Sequence, residues 1–129
     1  MHDFRIGETR EEIVEVSGDY AITFLGPEGP RVLSTPRMIQ FMEATSRNLV
    51  LAMLEPGHDT VGTHVNVYHR AAAPMGSTVK FHAEFVRVDN RRVHFNVKAT
   101  MGDTVIGEGT HERAVIDVRR FKERVQGQV

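Results

Sequence analysis

The chain has 129 residues, 40% of them hydrophobic and 26% charged, with 16 Lys and Arg against 17 Asp and Glu for a formal net charge of −1. That length holds one core and one domain, expected over 1–129; the apolar share excludes disorder, and the balanced charge offers no field to nucleic acid. The absence of Cys excludes a disulfide framework, a thiolate nucleophile and thiolate-held metal, and no stretch has the apolar run of a signal peptide or the ~18 apolar residues of a membrane span, so a cytoplasmic protein with no membrane partner is expected.

In chain order, a minor β segment is predicted at 13–16, pairing at a sheet edge, followed by a loop at Gly26-Pro27-Glu28-Gly29-Pro30. Ser34-Thr35-Pro36 then places a hydroxyl residue at a helix N-cap and a proline at the first helical position, where its missing N–H costs nothing. The helix runs from 36 to 54 and stops before Pro56-Gly57. Turned at about 100° per residue, it gathers Arg37, Gln40, Arg47 and Asn48 in one polar arc, while Phe41, Met38, Leu49, Met42, Met53, Ile39 and Val50 fill most of the rest. Such a helix must be wrapped, and at ~28 Å it matches the β segments available to wrap it.

Thirteen of the seventeen Val follow residue 60, whereas four of the five Leu lie between 33 and 54, so the second half of the chain reads as strand. Segment 60–72 carries Val61, Val65, Val67 and Ala71 on near-alternating positions. Strict alternation marks Val79, Phe81, Ala83 and Phe85, then Val93, Phe95, Val97, Ala99 and Met101. Asp89-Asn90 and Gly102-Asp103 are hairpin turns that make 78–88, 92–101 and 104–116 an antiparallel meander. The tail at 117–125 spaces Val118, Phe121 and Val125 for one helical face. The pattern is α+β: a long central helix wrapped by a curved antiparallel β-sheet, plus a short C-terminal helix, which is the hotdog arrangement.

Phosphate-cradling, dinucleotide-binding, His-Glu-x-x-His and nucleophile-elbow motifs are absent from the sequence. The seven His follow no ligand spacing, so no metal is expected. His69 shares strand parity with Val65, Val67 and Ala71 and so faces inward, as either a hydrogen-bonded core histidine or a catalytic one. Glu43 sits at the margin of the apolar arc, either reaching to water or lining a groove. Thr35 is explained by capping alone. Thr35 and Glu43 lie ~12 Å apart along the helix, too far for a direct hydrogen bond, so a joint site needs His69 or substrate as a bridge.

The stretch from Val32 to Phe121 resembles the fluoroacetyl-CoA thioesterase family of hotdog proteins. The resemblance runs through Val32-Leu33-Ser34-Thr35, Phe41-Met42-Glu43, Leu54-Glu55-Pro56-Gly57, Val61-Gly62-Thr63, His69-Arg70-Ala71-Ala72, and Gly107 to Ile116. It implies hydrolysis of an acyl-CoA thioester with no separate cofactor, coenzyme A being part of the substrate. It implies catalytic roles for Thr35, Glu43 and His69 and substrate contacts at Gly62 and Arg113, with the Gly62 N–H a candidate oxyanion donor. Two other readings remain: a hotdog hydratase or dehydratase, and a non-catalytic acyl-CoA binding or sensing domain.

The loop before the helix, 25–34, is shorter than the family's aromatic lid and contains no aromatic residue. Broad short-chain acyl-CoA use is therefore expected, with Met38 and Met42 bounding the pocket. Open sheet edges and a half-covered helix predict a homodimer or higher even oligomer.

Overall fold

The computed structural model describes residues 1–128. Strand β1 (Thr9–Glu15) leads through a 3-10 turn at Gly18–Tyr20 to helix α1 (Thr35–Leu51). Then come β2 (His58–His69), β3 (Thr78–Asp89), β4 (Arg92–Met101), β5 (Thr104–Asp117) and helix α2 (Val118–Gln126). One sheet of order β1-β3-β4-β5-β2 holds all five strands with antiparallel neighbours.

The meander follows from its turns. Asp89 pairs with Arg92 and Met101 with Thr104, leaving two-residue loops. Asn90 and Gly102 both adopt φ +57°, the left-handed backbone that tight hairpins of this twist demand. Alternation on β3 and β4 delivers Val79, Phe81, Ala83, Phe85, Val93, Phe95, Val97 and Ala99 to one buried face, against Met38, Met42, Leu49 and Val50 of α1. Burying each of Phe81, Phe85 and Phe95 contributes ~1.5–3 kcal/mol. Phe41 completes the cluster edge-on to Tyr20 at 4.9 Å and tilted against Phe81 at 5.3 Å between ring centroids.

Polar anchors fix how the helix is rotated. Arg47 makes a two-pronged bond to Asp59 of β2, 2.9 and 2.6 Å, and Glu12 of β1 accepts from Thr45 (3.2 Å) and Asn48 (2.8 Å). Because Arg47 lies one turn beyond Glu43, its hold on β2 also turns the Glu43 carboxylate toward that strand.

Three boundaries differ from expectation. The first strand occupies Thr9–Glu15 instead of 13–16, because Arg10, Glu11, Glu12 and Glu15 on this edge hide its pairing from a hydrophobicity pattern; Val16 is buried just past its end. The central helix stops at Leu51, where single tight bonds, Met53 N to Val50 O and Leu54 N to Leu51 O, take over. Strand β2 stops at His69, since the Arg70 and Ala71 amides both turn onto the Ile106 carbonyl. Helix α2 starts as expected, Asp117 accepting from the Arg120 amide at 3.1 Å. No helix among the described residues is long and apolar enough to cross a membrane.

Candidate active site

The helix cap is Ser34, whose Oγ accepts from the Arg37 amide at 3.2 Å, while Thr35 is the first helical residue. The hydroxyl expected to cap is thereby free, and Thr35 Oγ1 lies 2.7 Å from His69 Nδ1. Burial pushes the His69 imidazole below its ordinary pKa of 6.5, with the Ala71 backbone opposing, so the ring is neutral at physiological pH and free to take a proton. Its Nε2 is buried and has no hydrogen-bond partner, the one such side-chain atom among the described residues. An unpaired buried polar atom is costly, which sets this ring apart from an ordinary hydrogen-bonded core histidine.

Thr35 and His69 line a cavity of about 350 Å³ shared with Ile22, Phe24, Val32, Leu33, Arg70, Ala71 and Ala72. Phe24, 79% exposed, puts an aromatic ring at this mouth although the 25–34 loop has none. Met38 and Met42, expected to bound the pocket, are instead fully packed in the core.

A second cluster forms further along the same helix. Glu43 Oε2 accepts from Arg113 Nη1 at 3.3 Å. Arg113, on β5, is 7% exposed at its side chain. Its Nε donates to Thr60 Oγ1 (2.7 Å), Nη2 to Thr60 O (2.9 Å), and Nη1 also to His111 Nε2 (3.3 Å). The missing side chain at Gly62 makes room for the carboxylate, because a Cβ at that position would lie 2.7 Å from Glu43 Oε2 and push it aside. Burial lowers the pKa of Arg113, opposed by Glu43 and Asp59.

Both clusters face the helix because of one irregularity. In a regular strand, Gly62 and His69, an odd number of residues apart, point to opposite faces. The register shifts between Gly62 and His64, so Thr63 is an extra residue and both positions turn inward. Within one chain the clusters remain apart, ~12 Å along the helix and ~23 Å along β2. The sequence had singled out Thr35, Glu43, His69, Gly62 and Arg113 but not Thr60 or His111. His111 was legible in one respect, standing two residues before Arg113 on the same strand and so on the same face.

Among the described residues, His2, Glu55 and His58 form a group with metal-ligand donors close together. His2 Nδ1, however, accepts the Glu55 amide at 2.9 Å, which places the ring proton on Nε2 and leaves no free lone pair for a metal. Larger depressions of about 460 and 540 Å³ lie over the sheet, around His82 and Lys98 and around His94 and Glu112. None of Thr35, Glu43 or His69 lines them, so the smaller cavity is the better candidate.

A central helix wrapped by one antiparallel sheet, with a hydroxyl–imidazole pair at the helix start, defines a hotdog protein. The model of the fluoroacetyl-CoA-specific thioesterase family matches residues 16–119. The fluoroacetyl-CoA thioesterase of Streptantibioticus cattleyicolor is 37% identical over 128 residues, covering 95% of this chain and 92% of that protein. The solved structure of the fluoroacetyl-CoA thioesterase FlK superposes with a TM-score of 0.88 at 36% identity, covering 98% of each chain. A hot-dog-like protein from Thermanaerovibrio acidaminovorans gives a TM-score of 0.88 at 25% identity, covering 97% of this chain and 93% of that one. The chain belongs to the fluoroacetyl-CoA-specific thioesterase family.

Proposed function

We propose that the protein hydrolyses acyl-CoA thioesters, and the observation that carries this reading is the Thr35 Oγ1 to His69 Nδ1 contact of 2.7 Å beside a cavity. Neutral His69 takes the hydroxyl proton as Thr35 Oγ attacks the thioester carbonyl, and returns it to the departing CoA sulfur. Water then cleaves the acyl-threonine with His69 again as base, releasing the acid. Glu43 orients that water, Arg113 holds Glu43, and the bare Gly62 backbone leaves room for the acyl group and a candidate oxyanion donor. No separate cofactor takes part. A solved complex of an FlK variant with fluoroacetate and CoA supports an acyl-CoA as substrate.

The two clusters join when two copies meet. Strand β2 has no neighbour on its outer edge, has no Lys, Arg, Asp or Glu between Val61 and His69, and exposes Val65 and Tyr68. By contrast, β1 guards its edge with charge. An antiparallel β2–β2 contact centred near Val65 and Asn66 brings Gly62 and Glu43 of one copy level with Thr35 and His69 of the other, making a homodimer the working unit.

Substrate range follows from the mouth. With a short loop and a single exposed Phe24, discrimination among small acyl groups is limited to ~1–3 kcal/mol per methylene-sized difference. Release of free CoA thiol from a panel of acyl-CoAs tests the reading: specificity constants for acetyl-, fluoroacetyl- and a longer acyl-CoA should agree within about tenfold. A far larger fluoroacetyl preference would overturn the breadth, and no thiol release from any member would overturn the function.

A further inference from the structure

His111 is the most deeply buried histidine near the site and has no part in the reaction as written above. It is 2% exposed, pairs across the sheet with Val65 and Phe95, and its ring stacks on Phe95 at 6.2 Å. Its two nitrogens face partners of opposite character. Nδ1 lies 2.8 Å from the His64 carbonyl, which only accepts, so Nδ1 carries the proton. Nε2 lies 3.3 Å from Arg113 Nη1, which only donates, so Nε2 must present a lone pair. Only the neutral Nδ1–H tautomer satisfies both.

The same bulge that turns Gly62 inward directs the His64 carbonyl at His111, since the extra Thr63 lies between them. The imidazole in turn occupies one direction of the Arg113 fork, Thr60 takes two others, and the remaining Nη1 hydrogen goes to Glu43. Gly62 completes the arrangement: a Cβ there would lie 3.5 Å from His111 Cε1 and 3.6 Å from Arg113 Nη1. Carboxylate, guanidinium and imidazole thus meet beside the one position on β2 stripped of its side chain.

We propose that His111 is a positioning residue for thioester hydrolysis: as a neutral Nδ1–H imidazole it holds Arg113 so that the guanidinium fixes the Glu43 carboxylate at the opening left by Gly62. The proposal rests on the thioesterase reading, in which Glu43 meets the reacting water. Adding a proton to Nε2 sets an N–H against the Arg113 N–H and one cation against another, releasing Arg113 from its place.

The groups facing His111 are Arg113 on its own strand, Glu43 from α1 and His64 from β2, while β4 presents only the uncharged Phe95. Burial, first, and the Arg113 charge push the imidazole below its ordinary value, with the His64 carbonyl and Glu43 opposing. The arrangement is therefore intact at neutral pH and is lost as the pH falls through that lowered value.

Two substitutions separate the two nitrogens. His111→Asn keeps a donor for the His64 carbonyl and loses the acceptor for Arg113; His111→Gln reaches Arg113 with its amide oxygen and loses the donor. His111→Asn should lower kcat about tenfold, the scale of one lost hydrogen bond to a charged group, with KM little changed. His111→Gln should recover much of that loss and remove its share of the acid limb. Independently of catalysis, side-chain ¹⁵N NMR of the unsubstituted protein should show His111 as the Nδ1–H tautomer, still neutral where exposed histidines have titrated. An imidazolium or Nε2–H ring at neutral pH, or folded Asn and Gln variants of equal kcat, would overturn the proposal. Wild-type protein inactive on every acyl-CoA would overturn the thioesterase reading instead, and with it the catalytic purpose of His111, whether or not NMR found the tautomer.

Discussion

Two adjacent hydroxyl residues divide the work at the start of α1. Ser34 caps the helix and Thr35 faces His69, so the two substitutions should have opposite signatures. Ser34→Ala should cost ~1 kcal/mol of stability in chemical denaturation, whereas Thr35→Ala should leave the midpoint almost unmoved and abolish most thioester hydrolysis. A Thr35→Ala protein that lost stability and kept its activity would return Thr35 to a capping role. His69→Ala should lower kcat by ~10²-fold or more, as removal of a general base does. Because burial lowers the His69 pKa, the active neutral ring persists below pH 6.5. The acid limb of kcat/KM should thus lie below that of a free imidazole, and a limb above pH 7 would show that another group is titrating.

At the scale of elements, strand β2 is the part whose local irregularity matters most. Deleting Thr63 leaves Gly62 and His69 six residues apart and on one face, whereas inserting one Ala between Val65 and Asn66, beyond the bulge, shifts the alternation by one and puts them on opposite faces. The insertion protein should retain its sheet by circular dichroism yet show no measurable hydrolysis, because one of the two clusters must leave the helix side. Activity surviving the insertion would mean the two inward faces are not needed together. The helix contributes rotation through Arg47–Asp59 and through Glu12 with Thr45 and Asn48. The arginine bond lowers the Asp59 pKa against the effect of burial. At Glu12 the bonds from Arg10, Asn48 and Thr45 together outweigh the larger raising effect of burial.

Across the whole molecule these titrations set the response to acid. His69 and His111 have lowered values and are neutral when folded, so below pH 6.5 the unfolded chain binds more protons and stability begins to fall. Asp59 and Glu12 are depressed carboxylates; their contribution is present above the unfolded values of 3.8 and 4.5 and is lost as pH drops through the folded ones. Denaturation midpoints should therefore be level above pH 7, slope downward below 6.5 and steepen near 4; a flat profile from 7 to 5 would contradict the buried neutral imidazoles. Association is the other molecular property at stake. Val65→Lys places a charge on the apolar edge of β2 and should convert a dimer to monomer in light scattering while lowering activity in step. A monomer in the unsubstituted protein at micromolar concentration would overturn the shared site.

The amino-acid sequence by itself determined the helix, the meander and their order, since these rest on periodicity, turn residues and a proline-marked helix start, all local in the chain. It also marked Thr35, Glu43, His69, Gly62 and Arg113 as the residues to examine. It placed an edge strand at 13–16 but hid the Thr9–Glu12 part of β1, whose charged residues carry no apolar alternation, and it assigned the cap one residue late because Ser34 and Thr35 are equally good caps in isolation. Only the tertiary structure decided that Gly62 and His69 share a face, that Arg113 is buried against Glu43, Thr60 and His111, and that Phe24 reaches the mouth. A bulge, a guanidinium fork and a loop's path depend on which strands become neighbours, and β2 pairs with β5 across the whole intervening meander.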